Sequence, residues 1–144
     1  MSVKFAMKDL GLLHYFLGIE VHRTSSGLVL TQGKYAMDLL KKDGMTECKP
    51  FDSPTALRTS QAPDPTPFTD PSSYRSIVGS LQYLTITRPD LSFAVNQACQ
   101  SMHQPTISDW HSVKRILRYV KATLFLGLQF QSSPLSLLAY SDSD

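Results

Sequence analysis

The chain has 144 residues, 42% hydrophobic and 18% charged, with a formal net charge of +2. That length supports one sizeable core in one or two small domains, and a charge so near balance does not by itself demand a polyanionic partner. No apolar run approaches the roughly 18 residues of a membrane span, and no secretory leader is visible, so an intracellular chain, cytoplasmic or nuclear and not secreted, is expected.

Residues 3–11 read as the last turns of an amphipathic helix closed by Gly11. Residues 12–23 read as one strand, in which Tyr15, Leu17, Ile19 and Val21 alternate with Phe16, Gly18, Glu20 and His22. Thr24-Ser25-Ser26-Gly27 turns the chain, and residues 28–32 return to complete a hairpin. Gly18, placed within a strand, predicts close approach of another backbone. Helical spacing over residues 35–43 turns Tyr35 and Leu39 inward and Lys34, Lys41 and Lys42 outward, with Gly44 as the stop. Over residues 45–69 the periodicity disappears, and Pro50, Pro54, Pro63, Pro65 and Pro67 predict a connector lying on the surface. Cys48 and Cys99 share no metal-like spacing, and reduced thiols are expected.

Three helices follow. Asp70-Pro71 provides a cap followed by a proline at the first helical position, and Tyr74, Ile77, Val78, Leu81 and Leu84 form the buried stripe. Thr87 and Thr106 each precede an acid by three residues, Asp90 and Asp109, a spacing similar to that of a capping box. Leu91, Ala94, Val95, Ala98 and Met102 mark the core face of the second helix. In the third, Val113, Ile116, Leu117 and Val120 fall on one face while Lys114, Arg115, Arg118 and Lys121 form a basic stripe on the other. Residues 127–131 and 135–140 read as paired strands joined by Ser132-Ser133-Pro134. His14, His22, His103 and His111 have no metal-binding spacing, and Trp110 and Tyr119 read as packing groups. The chain closes on Ser141-Asp142-Ser143-Asp144. Carboxylates at the tip of an apolar strand suit Mg²⁺, which prefers hard oxygen ligands on rigid supports. No later acid completes such a cage, so a piece of a larger enzyme with an α+β fold is expected.

Several stretches resemble, in order, the back half of the reverse transcriptase of the copia-type retrotransposon polyprotein. They are His14-Tyr15-Phe16-Leu17-Gly18-Ile19-Glu20-Val21, Lys49-Pro50, Tyr74-Arg75-Ser76-Ile77-Val78-Gly79, Leu81-Gln82-Tyr83-Leu84-Thr85, Thr87-Arg88-Pro89-Asp90 and Leu117-Arg118-Tyr119-Val120-Lys121. Ala122 departs from the pattern, standing where the family usually has glycine. The resemblance implies that residues 1–32 end the palm with a primer-grip hairpin and that residues 33–123 form thumb and connection helices around the Pro-rich connector. Residues 124–144 would begin a truncated ribonuclease H-like domain with a short β-hairpin.

The same resemblance makes Phe16, Leu17 and Gly18 the primer grip, although they would equally suit an ordinary sheet hairpin. Lys114, Arg115, Arg118 and Lys121 become contacts to the phosphates of an RNA/DNA hybrid or DNA duplex, although amphipathic helices commonly carry such a face in water. Asp142 matches the first catalytic, metal-binding acid of the nuclease, with Mg²⁺ as cofactor of the complete parent enzyme and none held stably by this chain. The polymerase acid pair would lie outside this sequence, so template-primer holding is expected instead of catalysis, in partnership with the missing parts of the polyprotein. The alternative is a non-catalytic nucleic-acid-binding or protein-interaction remnant of a decayed element.

Overall fold

A computed structural model describes residues 11–56 and 63–131. Strands β1 (Tyr15–Phe16), β2 (Ile19–Thr24) and β3 (Gly27–Thr31) lead into helices α1 (Gly33–Lys42) and α2 (Pro71–Leu84). A single 3₁₀ turn (Pro89–Leu91), α3 (Ser92–Gln100), α4 (Ile107–Ala122) and β4 (Gly127–Gln131) complete the order. The strands form one antiparallel sheet in the order β1-β2-β3-β4, and the helices form a separate packed body, in keeping with an α+β architecture. No described helix is long and apolar enough to cross a membrane.

The core is helical. Ala36, Leu39 and Leu40 of α1 meet Tyr74, Ile77, Val78, Leu81 and Leu84 of α2, and the cluster closes with Leu91, Ala94, Val95 and Ala98 and with Val113, Ile116, Leu117 and Val120 of α4. These are the stripes that the spacing predicts, and burying each Val, Leu or Ile side chain is worth about 1.5–3 kcal/mol. The starts of α2 and α4 are fixed by side chains. Asp70 accepts the Ser73 N–H at 2.9 Å with Pro71 in the first turn. Thr106 and Asp109 form a complete capping box, in which Asp109 accepts the Thr106 N–H at 2.8 Å and Thr106 Oγ1 accepts the Asp109 N–H at 3.2 Å.

Among the described residues no strand residue joins that cluster, although Val21 of β2 is buried, and a few specific links attach the sheet to the helices. α1 has no capping side chain of its own at Gln32, and Glu20 of β2 supplies one by accepting the Lys34 N–H at 3.1 Å. The Thr87 hydroxyl, fully buried, donates to Gln32 Oε1 at 2.8 Å and ties the end of β3 to the α2–α3 corner.

Two expectations require correction. Residues 12–23 are not one strand. Leu17 and Gly18 have φ of 47° and 77°, and the chain folds back there, pairing Phe16 with Ile19 and Tyr15 with Glu20. Positive φ at both central residues is the signature of a type I′ hairpin turn, and a leucine at the first position conceals it from a pattern search. Gly18 is therefore a turn residue, and what approaches it is the Tyr83 ring, 3.6 Å from the place of a Cβ, not a second backbone. Thr87 and Asp90 do not form a capping box either. The 3₁₀ turn is preceded by Arg88 with no capping side chain, because Thr87 is engaged by Gln32 and the Asp90 carboxylate by Arg88.

β4 pairs with β3 along its length, Leu28 opposite Phe130 and Leu30 opposite Leu128. Its expected pairing with residues 135–140, the helix expected at residues 3–11, and Asp142 with Asp144 fall outside the described residues. At the end of that pairing a Cβ on Gly127 would overlap the Leu30 carbonyl. Gly127→Ala should lower stability by about 1–3 kcal/mol in urea denaturation, and an unchanged midpoint would contradict this register.

Candidate nucleic-acid interface

The tip of the β1–β2 hairpin is apolar and open to solvent: Tyr15, Phe16 and Leu17 are 55%, 60% and 69% exposed. The tip is braced from behind. The Tyr83 hydroxyl of α2 donates to the Leu17 carbonyl. The Tyr83 ring meets Tyr35 of α1 edge-on at 5.2 Å, and the Tyr35 hydroxyl donates to the Ser80 carbonyl. Two tyrosines on two helices thus hold the backbone of an exposed apolar turn formed by Phe16, Leu17 and Gly18.

Arg88 is 4% exposed, a buried charge with every side satisfied. Its Nε and Nη2 bind both oxygens of Asp90 at 3.0 and 2.8 Å, Nη1 donates to the Thr123 carbonyl at 2.8 Å, and Nη2 also reaches Thr123 Oγ1 at 2.7 Å. The Tyr119 ring lies 5.6 Å from the guanidinium, and its hydroxyl donates to Asp90 at 3.0 Å. Burial pushes the Asp90 carboxyl up, but the hydrogen bonds and charge of Arg88, with the Tyr119 hydroxyl, outweigh it and hold the group below the usual carboxylate range. Burial also acts on Asp109, where bonds from Thr106 and Ser101 again win and lower it. Tyr119 is raised, first by burial and then by the adjacent Asp90. The network locks the α2–α3 corner to the end of α4, from which the chain enters β4.

The four basic residues of α4 share a face, and each has a partner within the chain. Lys114 lies 5.3 Å from the Trp110 ring, which stacks on Phe68. Arg115 and Arg118 both lie over Phe51, 4.4 and 3.7 Å from the ring centre. Arg115 also donates to the Ser53 carbonyl, Arg118 to that of Lys49, and Lys121 to that of Cys48. Among the described residues none of the four forms an ion pair. No three acids, histidines or cysteines among them are grouped to hold a metal. Tyr83, Gln32 and Arg88, which the sequence does not single out as site residues, do the positioning. Tyr83 and Arg88 stand inside the recognised motifs, which was the available signal.

Along the chain follow an exposed apolar turn, a corner in which Thr87 and Arg88 are buried while Pro89 and Asp90 face solvent, and a basic helix. Residues 1–57 match the family model described as "Reverse transcriptase (RNA-dependent DNA polymerase)". Over 145 residues the chain is 51% identical to "Uncharacterized mitochondrial protein AtMg00810" of Arabidopsis thaliana, a match covering all of this chain and 60% of that protein. Over 146 residues it is 47% identical to "Retrovirus-related Pol polyprotein from transposon RE2" of the same plant, covering all of this chain and 10% of the polyprotein. The corresponding polyprotein from transposon TNT 1-94 of Nicotiana tabacum is 36% identical over 154 residues, 12% of its length. Along its whole length the chain is thus similar to Pol polyproteins of copia-type retrotransposons, with its first 57 residues matching the reverse transcriptase family model, and it spans only part of each of these relatives. No solved structure matches it.

The carboxyls give a pH dependence of defined sign. Asp90 and Asp109 have folded pKa values below their unfolded ones, so they stabilise the fold above about pH 4 and lose that contribution as pH falls through the folded values. Thermal unfolding should show a midpoint that drops on acidification below about pH 4, and Asp90→Asn should flatten part of that drop. A variant with the wild-type acid profile would contradict the Arg88–Asp90 pairing.

Proposed function

We propose that this chain holds the template-primer duplex of a copia-type reverse transcriptase. The observation that carries the reading is the exposed Phe16–Leu17–Gly18 turn, braced by Tyr83 and apolar where a surface facing only water would favour polar groups. Apolar side chains on a fixed turn pack against the sugar and base faces of a primer end without reading sequence. Holding that end in one place shortens the search for reactive geometry, which is where positioning lowers a barrier. Lys114, Arg115, Arg118 and Lys121 supply the phosphate contacts on the same reading, an attraction that weakens with salt as condensed counterions are released.

The assignment of Asp142 and Mg²⁺ to the start of a ribonuclease H-like domain rests on the resemblance of residues 140–144. The described residues hold no carboxylate set for that ion, and no step is derived through it. The alternative, a non-catalytic protein-interaction module, draws on the same exposed apolar tip.

Binding of a fluorescent RNA/DNA hybrid with a recessed primer end separates these readings. The double variant Phe16→Ser, Leu17→Ser should weaken binding about tenfold, equivalent to roughly 1.4 kcal/mol of binding free energy, and abolish any preference for a recessed over a blunt end. Neutralising all four α4 cations should reduce the slope of log affinity against log salt by up to about 0.9 for each phosphate no longer neutralised. Wild-type affinity and slope in both variants would leave only the protein-interaction reading.

A further inference from the structure

The connector does not merely pass over α4. Cys48, Lys49 and Ser53 present their carbonyls to Lys121, Arg118 and Arg115, and Phe51 places its ring beneath both guanidiniums while its N–H donates to the Arg118 carbonyl at 3.3 Å. Three cations of the basic stripe are therefore satisfied by neutral groups of one short strap. Its own residues Lys49, Pro50 and Asp52 are exposed to solvent.

We infer that residues 48–53 form a displaceable cover over the cationic face of α4, which a nucleic-acid duplex lifts when its phosphates take over Arg115, Arg118 and Lys121. The inference rests on the duplex-holding function proposed above and adds a closed state to it. Two guanidiniums share one aromatic ring with no carboxylate in ion-pair reach among the described residues, so like charges lie close together without a counter-ion. A phosphate relieves that repulsion and brings a full negative charge where the carbonyls offer only a dipole, in a geometry that a guanidinium can meet with two parallel hydrogen bonds. The strap holds the donors in place with weaker acceptors of similar geometry, and the exchange preserves every hydrogen bond on the cationic side. The need to open the strap lowers apparent affinity according to the fraction of molecules that are open. Weakening the cover therefore tightens duplex binding without changing the number of phosphates engaged.

The test uses the whole chain and a blunt 20-base-pair RNA/DNA hybrid. Amide hydrogen exchange at Phe51 should speed up when the hybrid binds, because its bond to the Arg118 carbonyl is broken. Phe51→Ala should bind the hybrid roughly five- to tenfold tighter, since two cation–π interactions at the surface no longer hold the cover down, at an unchanged salt slope. Phe51→Leu keeps an apolar anchor without the aromatic face and should tighten binding in the same direction, and urea midpoints verify that both variants fold. Exchange at Phe51 that slows or stays constant on binding, or Phe51 variants that bind no tighter, would overturn the cover. If the wild-type slope nevertheless depends on the four cations, duplex holding stands without it. If neither the wild type nor the variants bind the hybrid, both readings fall.

Discussion

The guanidinium of Arg88 has been taken out of water and must find all its partners inside the chain. It does so with Asp90 beside it and by joining segments far apart in sequence, Tyr119 on α4 and Thr123 at the end of α4. Such a pair is costly to assemble and more costly to break, since removing one partner leaves an uncompensated buried charge, typically at about 3–5 kcal/mol. Its consequence here is geometric. With the end of α4 fixed, the chain leaves it in one direction and β4 meets β3 in one register. Thr87, the neighbour of Arg88, holds Gln32 where β3 becomes α1. The same corner thus controls both ends of the sheet's attachment to the helices.

That control matters because the sheet has no share in the helical core. The apolar turn stands in solvent, and the polar brackets from Thr87, Glu20 and Tyr83 replace the packing that would otherwise hold the hairpin. They are directional where burial is not. The Leu17 carbonyl is held by a hydroxyl on α2, so any shift of α2 against α1 is transmitted to the exposed turn. The basic face of α4 follows a different logic: Arg115, Arg118 and Lys121 are held by neutral acceptors of the chain itself, which order their long side chains.

Much of the helical body was legible in the sequence because burial repeats at three and four residues. The stripes of α2, α3 and α4, the Asp70 cap and the Thr106–Asp109 box follow from local rules. The hairpin misled for a physical reason: a two-residue turn preserves alternation through it, and Leu17 occupies a left-handed position that usually announces itself with asparagine or glycine. Thr87 and Asp90 have the capping spacing, but a buried arginine between them competes for the carboxylate, and that competition depends on Tyr119 and Thr123, some thirty residues away. The family motifs contain Tyr83, Thr87, Arg88, Asp90 and Tyr119 without revealing these contacts. Likewise, the lysines and arginines of α4 were visible as a stripe, whereas their engagement by residues 48–53 was not, since a connector without periodicity carries no record of what it lies against.

If the chain holds a template-primer duplex, the exposed Phe16–Leu17–Gly18 turn sits against the primer end. Photo-crosslinking from a 5-iodouracil base at the 3′ end of the primer, followed by peptide mapping, tests this directly. The principal crosslinked peptide should contain Tyr15, Phe16 or Leu17, and crosslinking should disappear when unlabelled hybrid competes. Crosslinks that avoid the hairpin tip, or that spread evenly over the surface, would contradict it.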